Sequence, residues 1–146
     1  FFQAEDAIRD SSTSRGLGDV YKRQGEKSET GASNNIVNLP FSHGALGLDV
    51  LEGWKNDLLP SVLDFKPNLI IISAGFDAHK ADPLGGLMMA TEDFATLTGL
   101  ILEMAHKNAD ITGSLHIVSI LEGGYNLSAL ADSVASHLDV LETFDP

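Results

Sequence analysis

The sequence predicts an α/β fold in which a parallel sheet carries helices on its faces. Two apolar, β-branched runs, Leu69-Ile70-Ile71-Ile72 and Ile117-Val118-Ser119-Ile120-Leu121, have the texture of buried parallel strands. Segments with apolar residues at helical spacing lie between and after them. Each run ends in a loop, Ser73-Ala74-Gly75-Phe76-Asp77-Ala78 and Glu122-Gly123-Gly124-Tyr125-Asn126. Ligands of open α/β sheets bind beyond the carboxyl ends of such strands, so Asp77 and Tyr125 are expected on one rim.

The elements follow in order. Residues 1–24 show no periodicity, carry Ser and Gly breakers, and resemble translated adaptor sequence; they are read as a non-native or disordered tail outside the domain formed by residues 25–146. Asn35-Ile36-Val37-Asn38-Leu39-Pro40 reads as a short strand closed by proline, with Phe41-Ser42-His43-Gly44 as the loop leaving it. Leu51, Trp54, Leu58 and Val62 have helical spacing, with Pro60 expected to kink that helix or end it at Leu59. After the strand Leu69 to Ile72 and the Asp77 loop, Thr91 is the expected N-cap of a helix. That helix buries Phe94, Leu97, Ile101 and Met104 and closes near His106-Lys107, with residues 108–114 as a polar connection to the strand His116 to Leu121. The last helix starts near Leu127-Ser128 and is expected to bury Leu127, Leu130, Val134, Leu138 and Leu141. The resulting order, β-α-β-α-β-α, implies right-handed crossovers and a parallel sheet.

Composition narrows the function classes. The chain has 146 residues, opens on Phe1 and has its first methionine at Met88, so a piece of a longer protein is expected. It contains no cysteine, which removes disulfides, thiolate metal sites and a cysteine nucleophile, and suits a reducing, cytoplasmic compartment. Any metal must be held by His, Asp or Glu. The net charge of −12 belongs to residues 25–146, because four acids balance four bases in the first 24. That field disfavours direct nucleic-acid binding and favours cationic partners such as basic peptide tails or polyamines, although acidity for solubility alone is the simpler reading. No stretch approaches the length of a membrane span, and no membrane partner is expected.

The two loops hold the candidate chemistry. Small residues at Ser73-Ala74-Gly75 let the chain turn sharply and present Asp77 at a cleft, and Asp82-Pro83-Leu84-Gly85-Gly86 makes a second turn in which Asp82 bonds nearby amides. From residues alone, these read equally as capping aspartates of a structural loop. Gly123 and Gly124 bring bare backbone close to a ligand, and Tyr125 can donate its hydroxyl to a developing oxyanion or simply be a half-buried core tyrosine. Asp77 and His79 could share a metal, but a catalytic zinc needs three protein ligands and an open position. His106, His116 and His137 are expected at the surface or as caps, and His43 and His79 at most behind a metal site. Asn126-Leu127-Ser128 is read as a chance match to the glycosylation sequon, and there is no dinucleotide fingerprint, P-loop or G-x-S-x-G elbow.

Taken together, Ser73-Ala74-Gly75-Phe76-Asp77-Ala78-His79, Asp82-Pro83-Leu84-Gly85-Gly86 and Leu121-Glu122-Gly123-Gly124-Tyr125-Asn126 resemble the zinc-dependent histone deacetylase family, in its class II and bacterial amidohydrolase flavour, including acetylpolyamine amidohydrolases. The similarity also takes in Asn35 to Pro40 and Leu59-Pro60. The resemblance implies the C-terminal part of an arginase-like, three-layer α/β/α fold. It implies Zn2+ as cofactor with Asp77 as one ligand, Tyr125 as the catalytic tyrosine, and Leu84, Gly123 and Gly124 lining the acyl channel. The implied substrates are acetylated lysine peptides or acetylpolyamines. The family's other two metal ligands and its tandem histidines are not in this sequence, which has no His-His pair, so the chain by itself is expected to be inactive. Two alternatives remain: an arginase-fold, manganese-dependent ureohydrolase-like enzyme, or a catalytically dead relative that binds acyl-lysine or a partner.

Overall fold

The computed structural model describes residues 25–113 and 116–145. The expectations for residues 1–24 lie outside the described residues. A helical stretch opens the fold as α1 (Gly47–Gly53), widens into a π-helical turn at Trp54–Leu58 and tightens again as α2 (Leu59–Phe65). Pro60 does not end this helical stretch, which runs on to Phe65. It has no N–H for the carbonyl four residues earlier and its ring crowds that carbonyl, so the wider turn lies directly upstream. Lys66, in the left-handed region at φ 57°, closes α2 before Pro67.

Strand β1 (Leu69–Ala74) then runs parallel to β2 (His116–Leu121), with Leu69 opposite His116 and Ala74 opposite Leu121. The crossover between them contains α3 (Thr91–Thr112), and α4 (Leu127–Thr143) follows β2. Asn35–Pro40 does not form the expected strand. It pairs with no strand among the described residues, and Ile36 and Val37 lie exposed, so nothing rewards extending its backbone into a ladder.

Side chains alternate along a strand, so Ile70 and Ile72 share a face with their partners Ile117 and Ser119. That face packs on Leu59 and Val62 of α2 and on Ile101, Met104 and Ala105 of α3. Burying Ile70 alone is worth about 2 kcal/mol. The opposite face carries Ile71, Val118 and Ile120, of which Val118 and Ile120 are exposed. A second core of Val50, Phe76, Met89 and Phe94 fills the space under the carboxyl end of β1.

Three further expectations are corrected. Thr91 is the first helical residue of α3, not its cap; Ala90 takes the cap position and the Asp93 carboxylate accepts the Ala90 amide at 2.7 Å. The helix does not close at His106-Lys107 but runs on to Thr112, because Asn108 is buried and donates to the Pro67 carbonyl at 2.6 Å, anchoring α3 on the turn into β1. The buried stripe of α4 is Ala129, Ser133 and His137 at steps of four, while Leu127 and Leu138 are exposed. Small side chains let α4 approach closely, and Leu130 and Val134 pack at its flank against the second core.

Candidate functional site at the carboxyl edge of the sheet

The chain leaves β1 into a buried turn. Phe76 packs on Phe94 with ring centroids 5.2 Å apart, and its amide donates to the Gly123 carbonyl at 2.9 Å. The Glu122 amide returns the connection to the Ala74 carbonyl at 3.0 Å. These two bonds extend the strand pairing past the sheet and bring the two loops together at their roots.

Asp77 lies in that junction. A Cβ on Gly123 would come to 2.9 Å from Asp77 Cγ and Oδ2, and one on Gly75 to 3.0 Å from Oδ1, so the carboxylate is bracketed by bare backbone from both loops. Among the described residues it accepts no hydrogen bond, which leaves its oxygens free for a ligand. Asp77 and Gly123 line a cavity of about 600 Å³ that is mostly apolar, with Ile72, Phe76 and Phe94 in its wall beside the polar Thr98, Glu122 and His137. Tyr125, Gly124 and Leu84 do not line it; Tyr125 is 58% and Leu84 70% exposed.

Asp82 joins the loops a second time. Its Oδ1 accepts the Leu84 and Gly85 amides at 2.8 and 3.2 Å, as in an Asx turn. Its Oδ2 reaches across to accept the Tyr125 and Asn126 amides at 2.6 and 3.3 Å. Burial opposes ionisation of this carboxyl, but the amides of Tyr125, Leu84, Gly85 and Asn126 outweigh burial and hold it below its ordinary value. Asn126 completes the tie: its Nδ2 donates to the Ala81 carbonyl at 3.0 Å, and its Oδ1 accepts the Ala129 amide at 3.1 Å as the N-cap of α4.

Of the histidines expected at the surface or as caps, His106 and His116 are exposed, but His137 is not. His79 is buried; its Nδ1 accepts the Ala81 amide at 3.1 Å, its Nε2 lies 3.4 Å from Thr91 Oγ1, and its ring stacks on Phe94. His43 is exposed beside Gly86. His137 is neither a surface residue nor a cap. It is buried between Thr98 Oγ1, 2.7 Å from Nδ1, and Ser119 Oγ, 2.9 Å from Nε2, with its ring edge-on to Phe76. Thr98 spends its one hydroxyl proton on the Phe94 carbonyl at 2.7 Å, so it accepts from His137 Nδ1–H and Ser119 donates to Nε2. Burial lowers the pKa of His137 and favours this neutral form. Sequence reasoning missed the cross-loop reach of Asp82 and this triad; the stripe Ala129, Ser133 and His137 at steps of four was the one signal for the latter.

Among the described residues no three His, Asp or Glu gather to hold a metal. Asp77, with free oxygens in the wall of the cavity, fits a single ligand position.

The site is thus an aspartate loop and a Gly-Gly-Tyr loop tied together at the carboxyl edge of a parallel α/β sheet. Similarity to known proteins gives its family. The description "Histone deacetylase domain" matches residues 3–141. The chain is 34% identical over 132 residues to type-2 histone deacetylase 2 of Dictyostelium discoideum, covering 88% of this chain and 7% of that protein. It is 33% identical over 121 residues to an uncharacterized protein of Synechocystis sp., covering 83% and 37% respectively. The solved structure of the HDA15 HD domain superposes with a TM-score of 0.72 at 30% identity, over 83% of this chain and 33% of that one. The chain therefore belongs to the histone deacetylase family. It spans well under half the length of these relatives.

Proposed function

We propose that this chain is part of a zinc-dependent deacetylase that hydrolyses the amide of an acetylated amine, on a lysine peptide or a polyamine. The observation that carries the reading is the packing of Gly123 against the Asp77 carboxylate, two residues before Tyr125, in the wall of a mostly apolar cavity. Zinc, when bound, supplies Lewis-acid activation of water and of the acyl carbonyl. Asp77 would be one of its ligands. Tyr125 would donate its hydroxyl to the oxygen that gains charge as the amide is attacked. Gly123 and Gly124 would leave room for an extended acyl chain beside the backbone, and Leu84 would contribute an apolar wall to the entrance. The remaining metal ligands and the general base are expected from sequence beyond the described residues, so residues 25–145 by themselves are expected to be inactive. The absence of cysteine and the acidic charge suit a cytoplasmic enzyme acting on cationic substrates.

The test uses full-length protein containing this chain, assayed for acetate release from an acetyl-lysine peptide and from an acetylpolyamine. Asp77→Ala should lose bound zinc and activity together. Tyr125→Phe should keep zinc and lose turnover by about a hundredfold or more. Wild-type zinc content in Asp77→Ala would remove the ligand assignment. Ligand binding without turnover in the wild type would instead favour a catalytically dead binding relative, and manganese-dependent hydrolysis of a guanidino substrate an arginase-like enzyme.

A further inference from the structure

The Asx turn accounts for only half of what Asp82 does. One carboxylate oxygen holds its own loop through Leu84 and Gly85, and the other holds the backbone of Tyr125 and Asn126, more than forty residues away. Its own loop is in turn fixed against Asp77, because Gly85 lies so close to the Asp77 carbonyl that a Cβ would overlap it. An unbroken series of contacts therefore runs from the Asp77 backbone through Gly85 and Asp82 to the Tyr125 amide. Tyr125 itself is exposed and its side chain has no described partner, so the direction of that side chain follows from where its backbone is held, and the Asp82 carboxylate is the group that holds the Tyr125 amide.

We infer that Asp82 is the positioning residue of the site, setting the Tyr125 hydroxyl relative to Asp77 by clamping the two loops at their backbones. The inference rests on the deacetylase reading. It requires a carboxylate. A carboxamide has one acceptor oxygen, so whichever way Asp82→Asn turns, one pair of amides faces an NH2 group and is left unaccepted. A displacement of Tyr125 by about 1 Å is enough to cost about a hundredfold in rate.

In full-length protein, Asp82→Asn should lower kcat on an acetyl-lysine peptide by about a hundredfold, with KM and zinc content unchanged. In a Tyr125→Phe background the same substitution should lower kcat less than about twofold, because the group it positions is already gone. Asp82→Glu, which restores the second acceptor, should recover part of the loss. Multiplicative losses in the double variant, or zinc lost along with activity, would overturn the inference. Should Asp82→Asn fail to fold, amide exchange in the wild type decides: Tyr125 and Asn126 amides as protected as those of β2 support the clamp, and exchange at open-loop rates refutes it. A wild type that releases no acetate would defeat the deacetylase reading, while the exchange measurement still judges the clamp.

Discussion

The loop that leaves β1 is buried as it turns, with Phe76, His79 and Met89 inside the fold, whereas the loop that leaves β2 stands in solvent, with Tyr125 exposed and Leu127 exposed where α4 begins. The first loop is held by its own packing: Phe76 on Phe94, His79 on the Ala81 amide, and Met89 paired back to Ala78 and Lys80. The second is held by the first, through the Phe76 amide on Gly123 and the Asp82 carboxylate on Tyr125 and Asn126. Damage should therefore spread from the first loop to the second, and not the other way.

The largest effect that would break this asymmetry is Gly85→Ala. The added methyl would run into the Asp77 carbonyl, which is backbone and cannot turn aside. A loss of about 3 kcal/mol is expected in urea unfolding, with faster amide exchange in both loops. Loosening confined to residues 82–86 would mean that the second loop stands independently.

An intermediate effect lies beneath both loops, at His137. Its folded pKa is lowered from 6.5 by burial, so the neutral form is the one the fold binds. Its contribution to stability is complete above 6.5 and is lost as pH falls from 6.5 to the lowered folded value, where the unfolded chain takes up a proton that the fold resists. Melting temperature should fall over that interval, and His137→Gln should flatten the slope. An unchanged slope in His137→Gln would assign the acid sensitivity elsewhere.

The smallest effect belongs to the first residue of α4, where the second loop ends. Leu127→Ser removes a side chain that is 79% exposed and should change stability by no more than about 0.5 kcal/mol. A larger loss would show that the junction of the exposed loop with α4 carries packing of its own.

Periodicity located β1, β2, α3 and α4 because their apolar runs match one repeat each, and it placed Asp77 and Tyr125 at neighbouring strand ends. It failed where a pattern lacked a partner. Asn35–Pro40 has strand composition but no strand beside it among the described residues, and the leucines of α4 match a helical stripe although small residues make the closer contact. Chain order and residue types by themselves thus determined a parallel α/β sheet with Asp77 and Tyr125 on one rim, since strand and helix repeats are local properties. Only tertiary structure decided that Asp82 clamps the two loops and that His137 sits buried between Thr98 and Ser119, because those contacts join residues 18 to 44 positions apart and no local repeat encodes which distant amide or hydroxyl a side chain will meet.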